Sequence, residues 1–253
     1  RHTRYIGDWS SDVCSSDLIS EKISKKTSKR LVAASVNGVL RDLNSKLTES
    51  ENHVELHDVE SEVGIETLWH SASHVLGYAL EKQYGDSIAL CDGPALRLAE
   101  GGSGFFYEMR LLSNDLKISP DDIPDLEAHM KDFVRQNHDF ERLRVSKEDA
   151  LRMFESNRLK REFIENIDES EDEITLYRCG DFVDLCRGPH VRGIRAHQYH
   201  SNVTKYLTRA SRSNTGTVVP YRKLGDRWID GSFEGDIPIS ELQKSFNVRI
   251  ISR

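Results

Sequence analysis

Apolar and polar positions along the chain alternate with several different periods, and each period predicts an element. "ISEKISKKTSKR" sets Ile19 and Ile23 one helical turn apart among Lys and Ser. "LVAASVNGVLRDL" then gives two short apolar runs around Asn37 and Gly38, a pair that tolerates the positive φ of a type I′ turn and so predicts a hairpin. "HVELHDV" alternates as a further strand. A helix is expected from Ile65 or Glu66 to a C-cap at Gly85, with Leu68, Ala72, Val75, Leu76 and Ala79 on its apolar face. His70 and His74 share a different face with Gly77, while Ser71 and Ser73 keep the neighbourhood small. Next come the Gly-rich "EGGSG", a strand in "FFYEMRL", a helix near 121–137 and a strand in "FERLRV". Ser146 and Asp149 approximate a capping box for the helix "KEDALRMFESN", and "EITLYRCG" reads as a strand leading into "DFVDLCRGPH". No internal repeat is present, and the fold class is α+β.

Composition narrows the setting. Charged residues make up 30% of the 253, and no apolar run approaches the roughly 18 needed to span a bilayer, so a soluble chain without a membrane partner is expected. Cys14, Cys91, Cys179 and Cys186 are too few and too scattered for a disulfide scaffold, which points to a reducing, cytoplasmic setting. The opening "RHTRYIGDWSSDVCSSDL" has no helical or strand period and reads as non-native sequence; residues 1–18, Cys14 included, are left out of the fold reasoning. The net charge is -7, yet residues 193–253 hold ten Lys/Arg against five Asp/Glu, so that segment is +5 and the rest -12. A basic tail on an acidic body can meet RNA on one face.

Two short motifs can carry chemistry. Histidines at i and i+4 stand about one turn apart on one helix face, so His70 and His74 can converge on a small target. Cys186 and His190 are also four apart, but the Gly-Pro step between them makes a turn. Three imidazoles and a thiol suit either a tetrahedral zinc ion or a polar pocket holding water. Asp184, two before Cys186, is placed to orient a histidine or a water. Lys160 in "NRLKREF" is either a solvated helix-end lysine or positive charge for a developing oxyanion.

The segments "WHSASHVLGYAL", "GPALRLAEGGSGFFYEM", "NRLKREFI" and "YRCGDFVDLCRGPHV" resemble, in order and spacing, the amino-terminal region of the threonyl-tRNA synthetase family. The resemblance covers residues 19 to about 205, and "VAASVNGVLRDL" is similar to the family's TGS module. It implies a partial small β-grasp (TGS-like) module at 19–60, without the module's usual first strand, and an α/β editing domain of the threonyl/alanyl-tRNA synthetase type at 64–205. Residues 206–253 depart from the family's usual run and are expected to be a divergent tail, and the "RLAEGGSGFFY" loop is longer than the family's short turn.

By resemblance, His70, His74, Cys186 and His190 match the family's HxxxH and CxxxH motifs, and Lys160 and Asp184 complete its editing pocket. The implied reaction is hydrolysis of seryl-tRNA(Thr), with His70 helping to deprotonate water, Cys186 and His190 positioning it, and Lys160 facing the carbonyl oxygen. Alanyl-type editing domains resemble zinc sites, whereas the threonyl type implies no cofactor for editing; zinc on His70, His74, Cys186 and His190 is the alternative. ATP and a further zinc are expected only in a ligase core outside these residues. A non-catalytic tRNA-binding module and a free-standing trans-editing hydrolase are the other functional classes. The full-length enzyme is expected to be a homodimer through that core and this chain a monomer, which a tight dimer on gel filtration would contradict.

Overall fold

In the computed structural model of the chain, residues 30–45, 47, 52–95, 104–113, 115–168, 173–194 and 248–250 are described. The helix expected from Ile19 and most of the tail from 206 onward lie outside them. Strands β1 (Leu31–Val36) and β2 (Val39–Asp42) form the expected hairpin, with Asn37 at φ 51° and Gly38 at φ 80°. Strand β3 (Val54–Asp58) pairs antiparallel on the other side of β1, giving the order β2-β1-β3. A register shift between Leu31 and Ala33 turns Leu31 onto the face of Ala34 and Val36, where with Leu43 and Val54 they form a small core. Val32 points the other way and joins the main core.

That core surrounds α1 (Glu62–Tyr84). The helix begins earlier than apolar periodicity predicts. Its first turn is polar, and Ser61 caps it by accepting from the Gly64 N–H at 3.1 Å, with Glu62 beside the positive end of the helix dipole. It ends as expected at Gly85, φ 50°, whose N–H reaches the Glu81 carbonyl. Its middle is buried on nearly every side: Thr67 to Trp69, Ser71 to Gly77, Ala79 and Leu80 are all inside. One apolar face was therefore too narrow a description, because this helix is the centre of the domain.

Strands β4 (Ile88–Leu90) and β5 (Tyr107–Leu111) pair antiparallel, and β9 (Val248–Ile250) adds in parallel to the free side of β5. Helix α2 (Ile123–Gln136) packs on α1 through Leu126, Met130, Phe133 and Val134 and stops at Asn137, which takes the left-handed conformation. Strands β6 (Phe140–Val145), β7 (Ile174–Cys179) and β8 (Phe182–Leu185) form a third antiparallel sheet. Between β6 and β7 the chain makes two short helices, α3 (Lys147–Met153) and α4 (Arg158–Glu165). Ser146 caps α3 as expected, but α3 is shorter than the "KEDALRMFESN" segment because Asn157 starts α4 by accepting from the Lys160 N–H. The same Asn157 donates to the Leu90 carbonyl at 2.8 Å and so fixes α4 against β4. Mixed helices and small sheets agree with an α+β editing-type domain; no helix among the described residues is long and apolar enough to cross a membrane.

Gly77 marks the tightest packing on α1. A Cβ there would stand 2.6 Å from Tyr107 Cε2 and 2.8 Å from Phe182 Cζ, and both rings are fully buried. Helix propensity favours alanine over glycine by about 1 kcal/mol, whereas overpacking a closed core costs about 1–3 kcal/mol. With two rigid rings in the way the second effect wins. Gly77→Ala is expected to lower the unfolding free energy by about 1–2 kcal/mol in urea titration; a gain in stability would show that the rings can move aside.

Candidate active site

The fold brings all six sequence-selected residues together. His70 and His74 come from the buried middle of α1, Lys160 from the first turn of α4, Asp184 from β8, and Cys186 and His190 from the turn that follows β8. The Gly188–Pro189 peptide in that turn is cis, and Gly188 has φ 73°. Gly188 needs to be glycine, because Tyr177 Oη occupies the space where its Cβ would stand.

Tautomers follow from counting protons. The Ser71 hydroxyl donates its one proton to the Thr67 carbonyl at 2.9 Å, and it also lies 3.0 Å from the Val191 N–H and 3.1 Å from His190 Nδ1. Ser71 must therefore accept from His190 Nδ1–H, which leaves His190 Nε2 bare. His70 Nδ1 lies 3.2 Å from the Pro189 carbonyl, a pure acceptor, so His70 Nε2 is bare as well. Both bare nitrogens face Cys186 Sγ, at 3.2 Å and 3.3 Å. One thiol proton cannot serve two lone pairs, so one imidazole is left ready to take a proton from something else.

Behind these groups lies a charged layer. Asp184 accepts from Lys160 Nζ and from Tyr107 Oη, and His74 Nδ1 stands 3.6 Å from it. All four side chains are buried, with Lys160 only 2% exposed. The solvated-lysine alternative is thereby overturned. A cation in the first turn of a helix opposes the helix dipole, so its position rests on Asp184 rather than on α4. Burial alone would raise the Asp184 carboxyl, but Lys160, His74 and Tyr107 together hold it below the usual range. Burial lowers His70, takes His74 down to about 3, lowers His190 well below its usual value, and pushes the Cys186 thiol up.

A cavity of about 620 Å³ opens onto this group. His70 and Cys186 line it, with Asp92, Arg142, Phe163 and Arg187 among the other wall residues. His74, Lys160, Asp184 and His190 do not reach its lining. Motif reading missed Tyr107 because a strand aromatic looks like core, and it took Ser71 and Ser73 as small spacers. Both serines are polar partners: Ser73 Oγ lies 2.6 Å from the His70 carbonyl and also contacts that of Gly93.

The donor atoms of His70, His74, Cys186 and His190 lie within 4.8 Å of one another. Three imidazoles and a thiol in that space, with Asp184 behind His74 as an outer partner, fit a zinc ion. Bound there, zinc would lower the pKa of a water and require the Cys186 thiolate.

Three neutral histidines, His74 and His190 buried and His70 half-buried, make stability depend on pH. Their folded pKa values lie below the unfolded value of 6.5, so the unfolded chain binds more protons as pH falls below 6.5 and stability falls with it. For His74 the loss continues to about pH 3. For His74 alone this removes roughly 1.5–2 kcal/mol between pH 6.5 and 5. Urea midpoints are expected to drop across that interval, with a shallower drop in His74→Gln; a flat profile would contradict neutral burial.

Comparison with known proteins agrees with this geometry. Residues 174–195, which hold β7, β8 and the Cys186–His190 turn, match the family model of the threonyl and alanyl tRNA synthetase second additional domain. The mitochondrial threonine–tRNA ligase 1 of Arabidopsis thaliana is 39% identical over 173 residues, 68% of this chain and 23% of the relative. The cytoplasmic threonine–tRNA ligase 1 of Homo sapiens is 38% identical over 187 residues, 73% of this chain and 24% of the relative. The threonine–tRNA ligase of Finegoldia magna is 35% identical over 231 residues, 87% of this chain and 33% of the relative, a match that runs outside residues 19–205. The chain thus spans about a quarter to a third of the length of these relatives. Over most of its length this chain is homologous to threonyl-tRNA synthetases, and its residues 174–195 match part of their second additional domain.

Proposed function

We propose that this chain is the editing part of a threonyl-tRNA synthetase and hydrolyses seryl-tRNA(Thr) to serine and free tRNA(Thr). The observation that carries the reading is the bare imidazole nitrogen facing Cys186 at the wall of the cavity. A synthetic site that selects threonine discriminates weakly against serine, because one methyl is worth only about 1–3 kcal/mol. A second pocket that hydrolyses the smaller ester completes the selection.

His70 is the only imidazole of the three that lines the cavity, so it is the residue assigned to take a proton from the attacking water. Its lowered pKa keeps it neutral, and free to accept a proton, to lower pH than an ordinary imidazole. Cys186 positions that water, with His190 behind it holding the sulfur at 3.3 Å; the thiol stays protonated and acts as a donor rather than a nucleophile. Lys160, held by Asp184, supplies positive potential to the oxygen that gains charge as the ester carbonyl is attacked. Asp184 also faces His74, which closes the pocket from behind.

Zinc on His70, His74, Cys186 and His190 is the second reading, favoured by the clustering of the four donors. The metal-free reading is preferred because Lys160, paired with Asp184, already brings positive charge to the site. In the same proposal the β2-β1-β3 sheet is the TGS-like module of residues 19–60, followed by the editing domain at 64–205. The partner is tRNA(Thr), the setting the cytoplasm, and ATP-dependent ligation the work of a core that this proposal places outside these residues.

The decisive assay is deacylation of seryl-tRNA(Thr) and threonyl-tRNA(Thr) by the full chain, with and without a chelator. Selective loss of the seryl ester is expected, unchanged by chelation. His70→Ala and Cys186→Ala are expected to lose at least about 100-fold in kcat, the scale of one general base. Lys160→Met loses activity and also about 3–5 kcal/mol of stability, because it strands a buried carboxylate. Stoichiometric zinc with chelator-sensitive activity would replace the mechanism by the metal one, and wild-type rates in His70→Ala and Lys160→Ala would end it.

A further inference from the structure

We infer that Asp42, at the end of β2, is a positioning residue for the pocket: it holds the Cys186–His190 turn in place from the neighbouring sheet. The inference rests on the editing reading above, to which it adds a residue that neither motif contains.

Asp42 is only 6% exposed, and neither of its carboxyl oxygens serves its own hairpin. One accepts from the backbone N–H of His190 at 2.7 Å, across 148 positions of sequence. The other accepts from Tyr177 Oη at 2.6 Å. Burying an acid costs free energy unless its acceptors are filled, and both of these are filled by groups that define the turn.

Tyr177 is itself part of the clamp. Its ring meets the His190 ring edge-on at a centroid distance of 4.5 Å, and its hydroxyl fills the place a Cβ would take at Gly188. Asp42 therefore fixes the turn by two routes, one straight to the His190 backbone and one through the phenol against which the turn folds. A face of the imidazole is held by Phe140, stacked at 4.6 Å and 12°, and Nδ1 by Ser71. With backbone, ring face and Nδ1 all restrained, Nε2 has little choice but to meet Cys186 Sγ at 3.3 Å. The register reinforces the reach of Asp42: it pairs with Ala33 on β1, next to Val32, whose side chain is set into the core around α1. The first sheet is thus rooted beside the histidine helix and extends one carboxyl to the other half of the pocket.

The test compares Asp42→Ala, Asp42→Asn and Tyr177→Phe in the full chain. Amide hydrogen exchange at His190 is read against Ala34 in the β1 ladder, and kcat and KM are measured for seryl-tRNA(Thr). Asp42→Ala is expected to speed His190 exchange about tenfold or more with Ala34 unchanged, and to lower kcat about 10–100-fold with KM nearly constant, the scale seen when an orienting partner is lost. Asp42→Asn keeps an acceptor oxygen for the His190 N–H and restores most of both, while Tyr177→Phe falls between. Equal acceleration at Ala34 and His190 in Asp42→Ala, without rescue by Asn, would reduce Asp42 to a fold-stabilising residue and overturn the inference. So would unchanged His190 exchange, or faster exchange with wild-type kcat. If the wild-type chain deacylates neither ester, the editing reading fails, and the His190 exchange of the three variants still decides whether Asp42 holds the turn.

Discussion

A single buried carboxylate holds the chemistry of this domain together. Asp184, on β8, accepts hydrogen bonds from Lys160 of α4 and Tyr107 of β5 and faces His74 of α1. Three elements converge on two oxygen atoms carried by a fourth. No one of those contacts is favourable alone in a dry interior; the set is stable because the charge is paired and its remaining lone pairs are filled. Removing any member exposes the others to an interior that does not solvate them, so pocket geometry and domain stability are the same quantity seen from two sides.

Upon that layer sits a second one in which protons are scarce. His70, Cys186 and His190 share a thiol proton between two imidazole acceptors, with the far nitrogens committed to Pro189 and Ser71. A site of this composition serves as a proton acceptor toward the cavity or as a ligand set for a metal. The choice depends on charge already present, and the Lys160–Asp184 pair is the charge nearby.

Much of the fold was legible from local chemistry. The Asn37-Gly38 turn, the Gly85 cap and the Ser146 cap are each set by one residue's backbone preference, and each lies where that preference places it. The start of α1 was not, because its first turn is polar and its cap, Ser61, precedes the apolar period. The break between α3 and α4 was hidden for a related reason: Asn157 acts through a side-chain oxygen that hydrophobic patterning does not weigh. At the site, the spacing of His70 with His74 and of Cys186 with His190 was readable as two pairs, but their meeting depends on long-range pairing between α1 and the turn after β8. Lys160 looked like a surface lysine since only its distant partner makes it a core one, and Asp42, Ser71 and Tyr107 carried no pattern that separates a pocket residue from an ordinary strand or helix residue.

Tyr107 is placed as much by absent atoms as by present ones. A Cβ at Gly93 would stand 2.5 Å from its ring and one at Gly77 2.6 Å from it, and the phenol reaches Asp184 because both positions are bare. Positions 77, 93 and 107 therefore behave as one steric unit, although they lie on a helix, a loop and a strand. Among relatives, a side chain larger than glycine at 77 or 93 should be accompanied by a smaller or shifted residue at 107. Because that ring also donates to the carboxylate that pairs with Lys160, such drift would reach the charge layer of the pocket without altering either histidine motif.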